Sequence, residues 1–216
     1  MTAPPAKGPS QTLSTAIITR AMQEYNLTAT ADQVVQVQLY LRLLLTWNTK
    51  VNLTAIQDPL EILYRHFCES MYAADAVPLQ KGRLADIGSG AGFPGLPLKI
   101  LRPQLDLHLV EANIKKATFL AEVIRELVLR DVRVLVGRYE DLVEEIAPLD
   151  FVCTRAVGGF PSLVTWAKSE QIGAKHIVLW IGGRDLEDVR KREGWSWREP
   201  IAIPHSLRRF ILVGDR

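Results

Sequence analysis

Cysteine is scarce in this chain. Of 216 residues only Cys68 and Cys153 are thiols; they form no metal-ligand pattern and no disulfide framework. No metal site is expected. Long apolar runs are missing as well. The longest stretch, Leu39 to Trp47, is broken by Arg42 and falls well short of the roughly 18 residues a membrane span requires. The first residues, MTAPPAKGPSQ, lack the apolar core of a secretory signal. No membrane association is expected, and a cytoplasmic location is. A strong charge imbalance is absent too: 26 Lys and Arg against 24 Asp and Glu leave a formal charge of +2, far from a histone-like excess. Nucleic-acid binding cannot be argued from net charge alone.

What is present describes a globular protein. Hydrophobic residues make up 48% and charged residues 23%, enough to build a core without staples. The basic residues Arg184, Arg190, Lys191, Arg192, Arg198, Arg208 and Arg209 gather near the C-terminus. They suit either phosphate contacts or a solvated surface.

Two regimes follow one another along the chain. Residues 1–10 are rich in Pro, Gly and Ala and are expected to be loose, and residues 11–25 read as an amphipathic helix. Thr30-Ala31-Asp32-Gln33 fits a capping box opening a helix whose apolar face carries Val34, Val37, Leu41 and Leu44. Asp58-Pro59-Leu60-Glu61 opens another helix, expected to run to about Ala74. From residue 82 short apolar runs alternate with helical periods. Strands are expected at 83–87, 106–111, 133–136, 151–154, 176–181, 195–203 and 207–213. Helices are expected at 95–101, 114–129, 139–146, 161–169 and 185–192. Such alternation implies an α/β fold with a mostly parallel, seven-stranded sheet. The last two strands, separated only by Pro204, His205 and Ser206, form an antiparallel terminal hairpin. Residues 1–80 are expected to be a helical extension, and 81–216 a Rossmann-like core, the two making one compact unit.

The densest signal is Asp86-Ile87-Gly88-Ser89-Gly90-Ala91-Gly92-Phe93-Pro94-Gly95, placed between a strand and a helix. Alternate glycines allow a sharp turn and close approach of a ligand. Gly90 to Gly95 satisfy the dinucleotide pattern G-x-G-x-x-G, which admits an NAD(P)-linked oxidoreductase. The same loop reads as D-x-G-x-G-x-G with the acidic residue still in the strand, the form suited to S-adenosylmethionine (AdoMet). Asp86 would be unwelcome beside a pyrophosphate and acceptable near a cationic methionine end, where it can organise water or the loop. Glu111, at the tip of the next strand, can accept hydrogen bonds from ribose hydroxyls of either cofactor. Gly137-Arg138-Tyr139-Glu140, at the third strand tip, would edge the adenine.

Taken together these segments resemble the RsmG (GidB, glucose-inhibited division protein B) family over about residues 40–215. The resemblance rests on Asn52-Leu53-Thr54-Ala55-Ile56, on His66 through Ser70 and on the glycine loop with its Phe93-Pro94-Gly95 extension. It rests also on Leu109-Val110-Glu111, on Lys115-Lys116 with Phe119-Leu120, on Gly137 to Glu140, and on Asp150 through Arg155-Ala156-Val157. It implies an AdoMet-dependent methyltransferase acting on guanine N7 in small-subunit (16S) ribosomal RNA, with rRNA or the 30S particle as partner and a monomeric state. Carried over by motif, cofactor contacts fall on Gly88, Gly90, Phe93, Glu111, Tyr139, Glu140 and Arg155, and His66 and Ser70 become candidates for substrate binding. An Arg at the end of a central strand needs an anionic partner; the cofactor carboxylate, Asp86 or an RNA phosphate would serve. Because N7 carries a lone pair and no proton, no catalytic base is assigned. The chain departs from the family in two places. Glu69 stands where the family often has Asp, and Ile181-Gly182-Gly183 stands where a strand usually ends in Lys-Gly, leaving Arg184 as a substitute. A non-catalytic ribosome- or RNA-binding module is the remaining alternative.

Overall fold

A computed structural model describes residues 12–155 and 159–216. The N-terminal region is helical. α1 (Thr15–Glu24) starts at Ser14, whose hydroxyl accepts from Ile17 N. α2 (Ala31–Asn48) opens on the expected capping box, with Thr30 and Gln33 satisfying each other's backbone amides. The helix beginning after Asp58 is less regular than expected. α3 (Pro59–Ile62) passes into a π-helical segment at Leu63–Cys68, then into α4 (Glu69–Met71) and a 3₁₀ turn at Tyr72–Asp75.

The remainder alternates strands and helices: β1 (Gly82–Ile87), α5 (Gly95–Leu101), β2 (Leu105–Glu111), α6 (Ile114–Glu126), β3 (Val132–Val136), α7 (Val143–Ile146), β4 (Phe151–Arg155), α8 (Phe160–Ala167), β5 (His176–Gly182), α9 (Gly183–Arg190), β6 (Ser196–Trp197), β7 (Ile201–Ala202) and β8 (Arg209–Asp215). Among the described residues the strands form one eight-stranded sheet in the order β3-β2-β1-β4-β5-β8-β6, with β7 also on β8. β1 to β5 are parallel; β8 runs antiparallel against β5. The expected strand 195–203 is interrupted at Arg198-Glu199-Pro200, where proline removes a ladder donor, so eight strands replace seven. The hairpin survives as Ile201 opposite Ile211 and Ala202 opposite Phe210. The expected helix 139–146 is a 3₁₀ turn at Tyr139–Asp141 followed by the short α7.

Period-two alternation sorts the strands' side chains onto two faces. Leu84, Leu107, Leu109, Phe151, Cys153, Val178, Trp180, Ile211 and Val213 join one buried cluster with residues of α1, α2, α5 and α6. Ala85, Ile87, Val110, Val152, Ile177, Leu179, Ile181 and Leu212 join the other, under α7, α8 and α9. The N-terminal helices thus close the same core as the sheet. Strand order reverses at β1, between β2 and β4. In open α/β sheets the crevice at the carboxyl end of such a point is where ligands bind. Among the described residues no helix is long and apolar enough to cross a membrane, no cluster of potential metal ligands occurs, and both cysteines are free and buried.

Candidate active site

The glycine loop is held from below and behind. Asp86 is fully buried, and its Oδ2 accepts from Gly95 N at 2.9 Å. The carboxylate therefore fixes the end of the loop instead of facing a ligand. Burial pushes its pKa up to about 7, against the lowering effect of the Gly95 amide. A Cβ on Gly95 would lie 2.7 Å from Asp86 Oδ2, so only glycine fits there. Gly92 has φ +90°, and a Cβ there would overlap the Tyr40 hydroxyl and lie 2.5 Å from Leu96 Cδ1. Tyr40, from α2, donates to the Ala91 carbonyl and stacks on Phe93 with ring centroids 5.4 Å apart and planes 4° apart. Phe67 meets Phe93 edge-on at 5.1 Å. The Phe93 side chain is a pillar between the loop and the N-terminal helices.

Above the loop, a cavity of about 380 Å³ opens at the carboxyl tips of β1, β2 and β3, within the usual size range of small-molecule sites. Ile87, Gly88, Val110, Glu111, Ala112, Gly137, Arg138, Tyr139, Glu140, Gly159 and Ser162 line it. Glu111 Oε2 accepts from Gly90 N at 2.8 Å and Oε1 from Asn113 N at 2.7 Å. Each oxygen keeps a further acceptor site. Tyr139 packs edge-to-face on Trp166, centroids 4.8 Å apart; burial raises its phenol to about 12, keeping it a neutral donor.

Of the residues singled out from sequence, Gly88, Glu111, Tyr139 and Glu140 border this cavity. Gly90 contributes its amide to Glu111, and Phe93 supports the loop. Arg155 lies outside the lining. Its anionic partner is none of the three expected: Arg155 Nη2 lies 3.4 Å from Glu69 Oε2, while Arg209 Nη2 lies 2.5 Å from Glu69 Oε1. Trp180 Nε1 donates to the Glu69 carbonyl at 2.8 Å. Arg155 pairs in register with Trp180, and Arg209 with Gly182, so Glu69 ties the N-terminal helices to three groups on the sheet's carboxyl edge. Its signal in the sequence was the acidic position of the His66–Ser70 motif. Arg138, part of the Gly137–Glu140 strand tip, borders the cavity as well, and Ser162 is the lining residue that sequence reasoning misses; it is reached only through the turn after β4, where Ala156 and Val157 lie outside the described residues.

His66 is placed by the Asn52-Leu53-Thr54 segment. Asn48 Oδ1 accepts from Leu53 N and Thr54 N, and Thr54 Oγ1 then lies 2.7 Å from His66 Nε2. The imidazole stacks on Phe93 at 4.9 Å. Burial, reinforced by Arg155 and Arg65, pulls its pKa down to about 3, so it is neutral at physiological pH. Ser70 is buried and its hydroxyl donates to the His66 carbonyl. Arg184 and Arg208 are exposed.

With this geometry in place, comparison with known proteins is decisive for the family. The model of the family described as rRNA small subunit methyltransferase G matches residues 33–196. The chain belongs to that family. It is 42% identical to a ribosomal RNA small subunit methyltransferase G of Roseiflexus castenholzii over 192 residues, covering 84% of this chain and 82% of the relative. It is also 42% identical to the protein of that name in Desulfitobacterium hafniense over 148 residues, 67% of this chain and 61% of the relative's length. Among solved structures, fibrillarin from Methanococcus jannaschii superposes with a TM-score of 0.57 at 12% identity, covering 68% of this chain and 73% of that one. Aeropyrum pernix fibrillarin, which carries natively bound S-adenosyl-L-methionine, superposes at 0.53 with 13% identity, covering 64% and 68%. These likenesses establish the Rossmann-like methyltransferase fold. Family and fold are those of AdoMet-dependent methyltransferases, and the residues of the cavity suit that cofactor. The cavity has a backbone-lined floor at Gly88, a carboxylate at the β2 tip and an aromatic edge at Tyr139.

Proposed function

We propose that this RsmG-family protein methylates N7 of a guanine in 16S ribosomal RNA, using AdoMet and acting as a cytoplasmic monomer on the rRNA or the 30S particle. The observation that carries the proposal is the 380 Å³ cavity at the β1–β2–β3 tips with Glu111 at its ribose position. It lies in a chain whose family match spans residues 33–196. Residues 81–216 act as the cofactor-binding core and 1–80 as the helical extension.

Gly88, Glu111, Tyr139 and Glu140 would hold the cofactor directly. Gly90 and Phe93 act by fixing the loop, and Arg155 acts from the β4 tip. Bound AdoMet supplies an electrophilic methyl group on a sulfonium. The chain's own work is then positioning and electrostatics. Guanine N7 offers an in-plane lone pair and has no proton to lose, so no side chain need act as a base. His66, neutral and held by Thr54 against Phe93, offers the substrate a fixed polar ring and no charge. Ser70, engaged with the His66 carbonyl, holds that turn of helix.

The test is calorimetric titration with AdoMet, its demethylated product and NADH, followed by methyl transfer from labelled AdoMet to small-subunit particles lacking the modification. Binding of AdoMet and its product, far weaker binding of NADH, and label in 16S rRNA support the proposal. NADH binding at least as tight as AdoMet would overturn it in favour of an oxidoreductase.

A further inference from the structure

The chain has five tryptophans, and three of them donate their indole N–H to a backbone carbonyl: Trp180 to Glu69, Trp195 to Val164 and Trp197 to Arg192. Trp166 differs. Its Nε1 is buried and has no hydrogen-bond partner, an arrangement that costs stability unless another contact favours the ring's placement. That contact is with Tyr139. The two rings meet edge-to-face, with centroids 4.8 Å apart and planes at 70°, the geometry that sets the positive edge of one ring against the negative face of the other.

Tyr139 needs such a support. It opens a three-residue 3₁₀ turn, Tyr139–Asp141, in which no residue is fully buried. A side chain on so short a turn is fixed by what packs against it more than by its own backbone. Yet its ring lines the 380 Å³ cavity at the β1–β2–β3 tips, so the orientation of that ring shapes the space a ligand meets. Tyr139 and Trp166 both pack, partly buried, on the core under α7, α8 and α9.

One helix supplies the support and part of the wall. Phe160, Leu163, Val164 and Ala167 are the buried residues of α8. Ser162 and Trp166, at i and i+4, share a different face. Ser162 lines the cavity, as does Gly159 just before the helix. Trp166, one turn further on, is no part of the lining, so it meets Tyr139 from outside the cavity.

We propose that Trp166 is a positioning residue, holding the Tyr139 ring in the orientation that receives the adenine end of the cofactor and so setting cofactor affinity without touching cofactor or RNA. The inference rests on the AdoMet role proposed above and adds to it a residue that neither the glycine-loop motif nor the cavity lining contains. Its physical basis is preorganisation: a ring already held in place loses less freedom when a ligand binds.

Calorimetric titration of AdoMet and adenosine into the full-length wild type, Trp166→Phe and Trp166→Leu tests it, with melting temperatures and methyl-transfer kinetics on the same preparations. Trp166→Leu removes the aromatic edge. Both dissociation constants should rise about 5- to 100-fold, the combined effect of losing one aromatic pair and freeing one side chain. The KM for AdoMet should rise with them, while kcat at saturating AdoMet and the KM for RNA stay unchanged. Trp166→Phe keeps an aromatic edge and should recover most of the affinity. A role confined to packing α8 predicts a lower melting temperature with wild-type dissociation constants in the folded protein, and that result would overturn the proposal, as would equal losses of affinity in the two variants. Wild-type protein that binds neither AdoMet nor adenosine would overturn the cofactor reading itself, a failure distinct from that of Trp166.

Discussion

The buried carboxylate of Glu69 faces Arg155, the last residue of β4, at 3.4 Å, joining the N-terminal helices to the carboxyl edge of the sheet. Its other oxygen serves Arg209, so one carboxylate compensates two guanidiniums. Breaking a buried ion pair by removing one partner typically costs about 3–5 kcal/mol. Glu69→Ala should therefore lower the unfolding free energy by a similar amount, whereas Glu69→Asp, the shorter acid, should cost less. Equilibrium denaturation in urea checks both, and equal losses would mean that the pairs contribute little.

Arg155→Ala should cut methyl transfer more than about tenfold, roughly 1.4 kcal/mol of transition-state stabilisation, in protein that remains folded. Arg155→Lys should rescue poorly, because an ammonium lacks the planar fork of a guanidinium. Steady-state kinetics and thermal melting on one preparation separate the two effects. A lower melting temperature with normal turnover would reduce Arg155 to a structural ion-pair partner of Glu69.

Gly92→Ala should destabilise the loop by more than about 2 kcal/mol, since it combines a positive φ with an overlap at the Tyr40 hydroxyl. The double variant Gly92→Ala, Tyr40→Phe removes that hydroxyl and should recover part of the loss. Denaturation of the single and double variants measures the coupling, and strictly additive losses would contradict the contact.

Asp86 and His66 predict opposite pH dependences. The Asp86 pKa is raised from 3.8 to about 7, so between these values the native state binds more protons than the unfolded state, and stability falls as pH rises through that window. The His66 pKa is lowered from 6.5 to about 3, so its contribution falls as pH drops from 6.5 towards 3. Asp86→Asn should keep the acceptor for the Gly95 amide while losing the titration. Its stability relative to wild type should improve between pH 5 and pH 8. A difference that is flat or reversed across that range would show that Asp86 ionises freely.

Much of this architecture was legible in the sequence. The edges of β1 to β5 lie within a residue or so of the expected strands because each is a short apolar run bounded by turn residues. Thr30 and Asp58 cap helices as their chemistry requires. The π-helical stretch at Leu63–Cys68 is hidden, since its residues keep a helical apolar pattern, and the apolar residues on either side of Pro200 mask the break between β6 and β7. Glu111 and Tyr139, which line the cavity at the β1–β2–β3 tips, could be located because each lies at or just past a strand end that local sequence marks. The partnership of Glu69 with Arg155 and Arg209 could not, because it joins three distant segments that only the tertiary fold brings together. Asp86 was legible as important, but its burial behind the loop was not.

The central claim is that the cavity at the β1–β2–β3 tips serves methyl transfer to guanine N7 in 16S rRNA. The most direct test is nucleoside mass spectrometry and position mapping on 16S rRNA. The rRNA comes from unmodified small-subunit particles incubated with AdoMet and either the wild-type protein or Glu111→Ala. The account predicts a single 7-methylguanosine with the wild-type protein, and its loss, together with AdoMet binding weakened at least about tenfold, in Glu111→Ala. A methyl group on another atom or another RNA, or full activity in the Glu111 variant, would contradict it.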